Sequence, residues 1–414
     1  MTLDNVKTRE EAIAALDGYS SERQEELAED RRTGRPLLKT YMLETVPSHV
    51  PEPRIEDLFA GAGVVLIPID ETLFRAVGRD DSRVIGLVEQ LLPRYPVFYS
   101  LEDSHIADRF VKNLVQQNAM LDRLWISGRA FAELFKFILD NTPKHCYGRM
   151  VFQYTNVYES EYSGETESGS AESDTAPRDR DEGDQPVVER RSNKTTIVDR
   201  LGVLEKILPK MRGLYQPLNA IAQLRFPATG RGGHDFFFNG KVTNRSDSFR
   251  DHRRQVEFVL GRYKLATELT ERAAWGSSER TTISTAGERK QLLGAPVYLL
   301  FREALSQSTF ETFVRATFSR KASRFGLWGD PVWLGPTKVH VYAVDRHIWQ
   351  PLFLEITDKQ IVAVVPEGTC GNTINRLVTN VQQFLDPAVE VWIGDQRYDD
   401  LLGAAPSGQG GETK

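Results

Sequence analysis

Long apolar runs are missing from this 414-residue chain. None approaches the ~18 consecutive apolar residues that a membrane-crossing helix needs. The opening stretch, MTLDNVKTREEAIAALDGYSSERQEELAEDRR, is charged nearly throughout and lacks the apolar core of an export signal. Cysteine is almost absent as well. Cys146 and Cys370 stand far apart, which excludes a disulfide framework and a cysteine-built zinc site and fits a reducing compartment. Together these absences predict a cytoplasmic protein with no membrane partner. Lysine is scarce beside arginine, 15 against 37, a skew that a GC-rich genome explains. Also missing are the G-x-S-x-G elbow, the H-E-x-x-H metal helix, the phosphate loop and G-x-G-x-x-G. No cofactor is expected, and no nucleophile stands out.

What is present is enough apolar surface, 40% of residues, to bury sizeable cores, and a length that suggests two or three domains. The net charge of −6 is unevenly spread. Residues 159–184 carry ten acids against Arg178 and Arg180, so the rest of the chain is close to neutral. Segment 159–192 has no apolar period and cannot bury enough surface to offset the entropy of ordering. It reads as a disordered acidic insert, either simply solvated or a contact for a protein partner.

Elsewhere apolar runs alternate with helical stripes. Strands are expected at 63–69, 96–99, 121–127 and 148–158, and helices at 82–92, 103–117 and 130–139. Beyond the insert the pattern predicts a helix over 196–208 and a strand over 219–226. A hairpin then turns at Asn239-Gly240 in type I′ geometry, followed by a helix over 247–274. The last part offers a helix from Ser308 with a Ser308/Glu311 capping box, three strands at 339–344, 352–356 and 361–365, a helix over 373–385 and a strand at 389–393. Alternation of this kind implies the α/β class, two units with mainly parallel or mixed sheets flanked by helices. The expected plan is a charged helical extension (1–46), an α/β domain interrupted by the insert (47–275) and a linker (276–290). A C-terminal α/β domain with a β-meander (291–400) and a disordered tail (401–414) complete it.

The chemistry-bearing candidates are mostly cationic. Residues 225–264 hold nine basic residues against four acids, an excess of +5. Within them Arg231, Lys241, Arg245, Arg250, Arg253 and Arg254 surround Phe236, Phe237 and Phe238. Arg315, Arg320, Lys321 and Arg324 form a second cluster. Cations among aromatic rings neutralise phosphates and stack bases, so these side chains nominate nucleic acid or another polyanion as the ligand of a non-catalytic, regulatory protein. Pairing with Asp235, Asp247 and Asp251 is the competing account. A second reading is a metal-dependent hydrolase or phosphodiesterase using His340, Asp345, His347, Glu355 and Asp358 of the meander, although their spacing matches no known zinc pattern. Residues 367–372 (EGTCGN) precede a helix, where N–H groups attract anions, or where Asn372 or Thr373 merely caps. A third reading is a protein-interaction scaffold.

Overall fold

The computed structural model describes residues 3–29, 34–80, 82–158, 192–283, 287–318 and 324–403. The acidic insert up to residue 191, the tail from residue 404, Arg320 and Lys321 lie outside the described residues.

The first part runs α1 (Arg9–Ala28), β1 (Lys39–Glu44), α2 (Ile55–Ala60), β2 (Val64–Pro68), β3 (Leu73–Gly78), β4 (Val84–Leu92), β5 (Tyr95–Ser100), α3 (Ser104–Gln117) and β6 (Asp122–Arg123). It continues through α4 (Gly128–Asn141), β7 (Tyr147–Thr155), β8 (Ser192–Arg200), α5 (Leu201–Leu214), β9 (Ile221–Pro227), β10 (Gly233–Phe237), β11 (Lys241–Asn244) and α6 (Phe249–Ala274). Its strands form one sheet in the order β2-β3-β4-β5-β1-β11-β10-β9-β7-β8, with β6 beside β1. The second part comprises β12 (Trp275–Ile283), β13 (Gly287–Leu293), β14 (Val297–Leu300), α7 (Gln307–Thr317), β15 (Leu327–Gly335), β16 (Lys338–Asp345) and β17 (Pro351–Thr357). It ends with β18 (Gln360–Pro366), α8 (Asn372–Phe384), β19 (Glu390–Ile393), β20 (Gln396–Arg397) and α9 (Tyr398–Gly403). The second sheet runs β15-β16-β17-β18-β14-β19-β20, with the β12–β13 hairpin attached at β18.

This corrects the parallel or mixed sheets expected from the sequence. The ladders of both sheets are antiparallel, apart from a two-residue contact of Trp275–Gly276 with Val365–Pro366. The reason lies in burial. One face of the first sheet (Leu73, Leu87, Tyr95, Val97, Tyr99) packs under α1, α4, α5 and α6, and the other (Phe74, Ala76, Val88, Phe98) under α2 and α3. Strands covered on both faces lose the alternation that marks antiparallel sheets and read as the apolar runs of parallel ones. The predicted helix at 82–92 is accordingly β4, hydrogen-bonded to β3 and β5. The first half of the predicted 196–208 helix is β8, paired with β7 from Tyr147↔Arg200 to Thr155↔Ser192. Residues 121–127 form only the two-residue β6, and the supposed linker 276–290 contributes to the β12–β13 hairpin.

Residues placed in the N-terminal extension are integral. A Thr8/Glu11 capping box starts α1, Ala12 and Leu16 enter the core, and β1 lies between β5 and β11. The hairpin after β10 exists, but of its turn pair only Gly240 has positive φ (+78°). It is a three-residue loop ending in a left-handed glycine, not a type I′ turn. Helix α7 is capped by Ser306, which accepts from the Thr309 N–H, rather than by Ser308. Among the described residues no helix is long and apolar enough to cross a membrane.

Candidate functional site

The cationic stretch folds into a region already supplied with carboxylates. Lys241 is buried and pairs with Asp108 at 3.1 Å. Arg245 and Arg225 close on the buried Asp235 at 2.7 and 2.6 Å. They hold its carboxyl below the ordinary range although burial opposes this. Arg253 grips Glu89 at 2.8 Å, and Arg9 holds the same carboxylate. Arg231, Arg250 and Arg254 are exposed, with Asp251 3.9 Å from Arg254. The N-terminus of α6, in their midst, is filled by Asp17 of α1, which accepts from the Phe249 and Arg250 N–H groups at 2.7 and 3.1 Å. Asp17, Glu89 and Asp108 thus arrive from distant segments, with Arg9 beside Glu89, and cut the +5 excess to +3. Arg253→Glu, which sets a second carboxylate against buried Glu89, is expected to lower stability by about 3 kcal/mol in urea denaturation.

The meander residues are not brought together. His340 and Lys338 both bond Glu355, at 2.7 and 2.9 Å, and hold its carboxyl below the ordinary range. Those three side chains stand on one face of the second sheet, whereas Asp345 and His347 are buried. Among the described residues no group of three or more His, Cys, Asp or Glu could hold a metal ion. A half-open recess lined by Trp125, Tyr263, Asn375 and Tyr398 holds about 40 Å³, room for a few waters.

The loop 367–372 leads into the least expected element, α8. Its polar residues Asn372, Thr373, Asn375, Arg376, Thr379, Asn380, Gln382 and Gln383 are all buried. Most of them are met by a partner from another element. The Asn372 amide donates to Asp122 at 3.1 Å, Asn375 bonds Tyr263 and Tyr398, and Gln382 accepts from the Gly128 N–H at 2.9 Å. Arg376 joins Asp122 of the first sheet to Asp345 of the second. At the helix start no side chain caps; the Gly371 N–H donates to Glu271 at 2.9 Å. The same Glu271, with Glu44, holds Arg94 at 2.6 Å, and Arg94 donates to Cys370 at 3.2 Å. Burial pushes the Glu44 carboxyl up to about 7, against the pull of Arg94, and pushes the Cys370 thiol well up. Cys370 is therefore a packed thiol and no nucleophile. The anion-attracting end of α8 is occupied by the protein's own acids.

The sequence reading missed the open face of the second sheet. Inward residues of β16–β18 (Val339, Val341, Leu354, Ile361, Ala363) pack with α7 and α8. Outward, register places Tyr342 beside Phe353 and Phe353 beside Val364, while Val362 neighbours Tyr298, which neighbours Trp392. Tyr342 is 80% exposed, and its ring lies 5.3 Å from that of Phe353. At one end Trp328 and Trp349 meet edge-on at 4.8 Å with the Arg346 guanidinium 5.3 Å above Trp328; at the other, Arg397 lies 5.6 Å over Trp392. The signal was there in the alternation of VHVYAV and LFLEI, whose outward positions hold Tyr and Phe where polar residues are usual.

A family model described as MJECL33-like protein matches residues 1–176 and 230–399. The chain belongs to this family. One member of known sequence, the uncharacterized protein MJECL33 of Methanocaldococcus jannaschii, is 22% identical over 370 residues, 84% of this chain and 85% of its own. No solved structure matches. The MJECL33-like match takes in α8, the buried joint at its N-terminus and the strands of the open face, and omits β8, α5 and β9.

Proposed function

We propose that this MJECL33-like protein is a non-catalytic, cytoplasmic binding protein that takes single-stranded nucleic acid on the open face of its second sheet. The observation that carries the reading is the run of exposed Tyr342, Trp328 and Trp349 with half-buried Phe353 on a sheet backed by its own core. Large exposed apolar patches on stable folds mark recognition surfaces. Aromatic rings on strands stack bases whatever their identity, each stacked base contributing about 1–3 kcal/mol. Guanidinium groups laid over the indoles at both ends favour an anionic ligand over a purely apolar one. Of the carboxylates on this face, Glu355 is balanced by Lys338 and His340, while the exposed Asp330, opposite Tyr342, and Glu390 stand on the flanking strands β15 and β19. The exposed trio Arg231, Arg250 and Arg254 belongs to the first sheet's side of the molecule and is not needed for this surface.

Fluorescence anisotropy with a labelled 20-mer of dT or rU is the test. Binding is expected to weaken with salt and to discriminate against duplex. Tyr342→Ala with Phe353→Ala is expected to lower affinity by about 10-fold or more. Absence of binding by the folded wild type at low salt sinks the reading. So does a protein partner whose capture depends on Tyr342 when neither oligonucleotide binds.

A further inference from the structure

The hairpin tip joining β16 to β17, residues Arg346 to Trp349, is built against local preference. Ile348 and Trp349 have φ of +56° and +54°. A turn with two successive positive φ values is normally made by Asn-Gly or Gly-Gly, and a β-branched residue there is an outlier. Contacts from outside the hairpin impose the geometry. The Arg346 N–H donates to the Gly326 carbonyl at 2.9 Å, and the Ile348 N–H to the Ala119 carbonyl, beyond α3, at 2.7 Å. The Arg346 guanidinium reaches the Gln116 carbonyl at 3.3 Å.

The same tip carries His347 inward. Its side chain is buried, the residue 3% exposed, and neither ring nitrogen has a hydrogen-bond partner among the described residues. The charged groups around it are Asp122 of β6, Asp345 of β16, Arg376 of α8 and Arg94 of the β4–β5 turn. Those four are engaged elsewhere: Arg376 with both aspartates, Arg94 with Glu44 and Glu271. Two residues on, Trp349 stands 51% exposed on the open face. Strain and an orphaned buried imidazole therefore fall within three consecutive residues, one end of which is interior and the other surface.

We propose that Arg346–Trp349 is a two-state latch, set by the charge of His347, that ties the open face of the second sheet to the buried joint between the sheets. The neutral imidazole stays inside and the tip stays strained. A proton taken from solvent gives a buried imidazolium beside Arg376 and aspartates already held by it, and the ring moves to water. That movement lets Ile348 and Trp349 return to negative φ and draws Trp349 away from Trp328. Burial lowers the proton affinity of His347, so the transition falls below pH 6.5. The latch is a property of the chain itself and stands or falls without the nucleic-acid reading.

Hydrogen exchange of residues 345–350, corrected for the intrinsic pH dependence, tests it between pH 7.5 and 5.0. Fluorescence referenced to Trp349→Phe provides a second signal. Wild-type protein is expected to gain exchange at the tip as pH falls, while β1 and α8 stay protected. His347→Phe is expected to show no step, and Ile348→Gly, which relieves the closed state, to move the midpoint down by about one pH unit. A tip that does not change, or a step that persists in His347→Phe, overturns the proposal. Should His347→Phe fail to fold, an unmoved midpoint in Ile348→Gly overturns it equally.

Discussion

Arg376→Ala is expected to remove about 3–5 kcal/mol of stability, a large share of the about 5–15 kcal/mol that typical folds possess. The guanidinium is nearly inaccessible, and its three nitrogens are spent on Asp122, Asp345 and the Phe325 carbonyl, the last at 2.7 Å. Truncation leaves two buried carboxylates facing each other with no counter-charge, and one belongs to each sheet. The main cost is thus desolvated charge left behind, not a lost contact. Two controls separate these. Arg376→Lys keeps the charge but offers a point donor in place of a planar fork, and cannot bond both acids in the same geometry. Arg376→Met combined with Asp122→Asn and Asp345→Asn removes the charges together and is expected to recover most of the loss, since a buried pair replaced whole costs little. Urea denaturation of the four proteins decides it. An alanine variant within about 1 kcal/mol of wild type would mean that water already reaches the aspartates.

The expectation rests on what α8 is. An amphipathic helix ordinarily turns its polar side to water. Here it is buried because each neighbour supplies a matching group: Asp122 from β6, Tyr263 and Thr267 from α6, the Gly128 N–H from α4, Ile221 from β9 and Tyr398 from α9. The apolar stripe Ile374, Leu377, Val378 and Val381 faces the second core. Polar bonds are directional where apolar contacts are not, so α8 fixes the relative placement of the elements around it. The open face presents its rings from a sheet whose underside is anchored by this helix.

Local signals in the sequence were reliable where one element decided them. The stripes of α3, α4, α6 and α8 and the strands of the meander are visible in residue order because each keeps its apolar residues to one face or stripe. The sheets' direction was not visible. Strand β4 is apolar at Val84, Leu87, Val88, Leu91 and Leu92, which suits either a helix or a strand covered twice, and no count along the chain separates the two. The cationic candidates failed to stay free for a related reason. Their partners Asp17, Glu89 and Asp108 lie more than a hundred residues away in sequence, so charge counted along 225–264 could not find them. Asp345 and His347 were nominated as ligands of one site, and the fold does place both at the buried joint, but as a partner of Arg376 and as a ring without bonds.

Stability is expected to fall as pH drops from 6.5 toward 5, and His252 carries the effect. Its ring lies in a buried relay: the Thr40 hydroxyl is 2.7 Å from His252 Nε2, His252 Nδ1 is 3.2 Å from His234 Nδ1, and His234 Nε2 is 3.1 Å from Asp251. With both rings neutral only one order satisfies every atom. Thr40 donates to His252, His252 to His234, and His234 to Asp251, which also accepts from Thr229. A further proton on His252 would have to reverse the Thr40 bond and displace that hydroxyl's proton, and burial together with neighbouring His234 pushes its proton affinity well down. Below about pH 6.5 the unfolded chain therefore binds a proton that the folded chain refuses, and each such group costs about 1.4 kcal/mol per pH unit. His347, also depressed, adds to this slope down to the pH at which its own ring charges. Glu44 has the opposite sign: folded it keeps its proton up to about pH 7, unfolded it loses it near 4.5, so its contribution grows as pH falls through that window. His252→Gln is thus expected to make the profile between pH 5.0 and 6.5 shallower, whatever it does to absolute stability, and Glu44→Gln to make it steeper. An unchanged slope in His252→Gln, read by urea denaturation at each pH, would place the proton uptake elsewhere and remove the relay from the account of acid sensitivity.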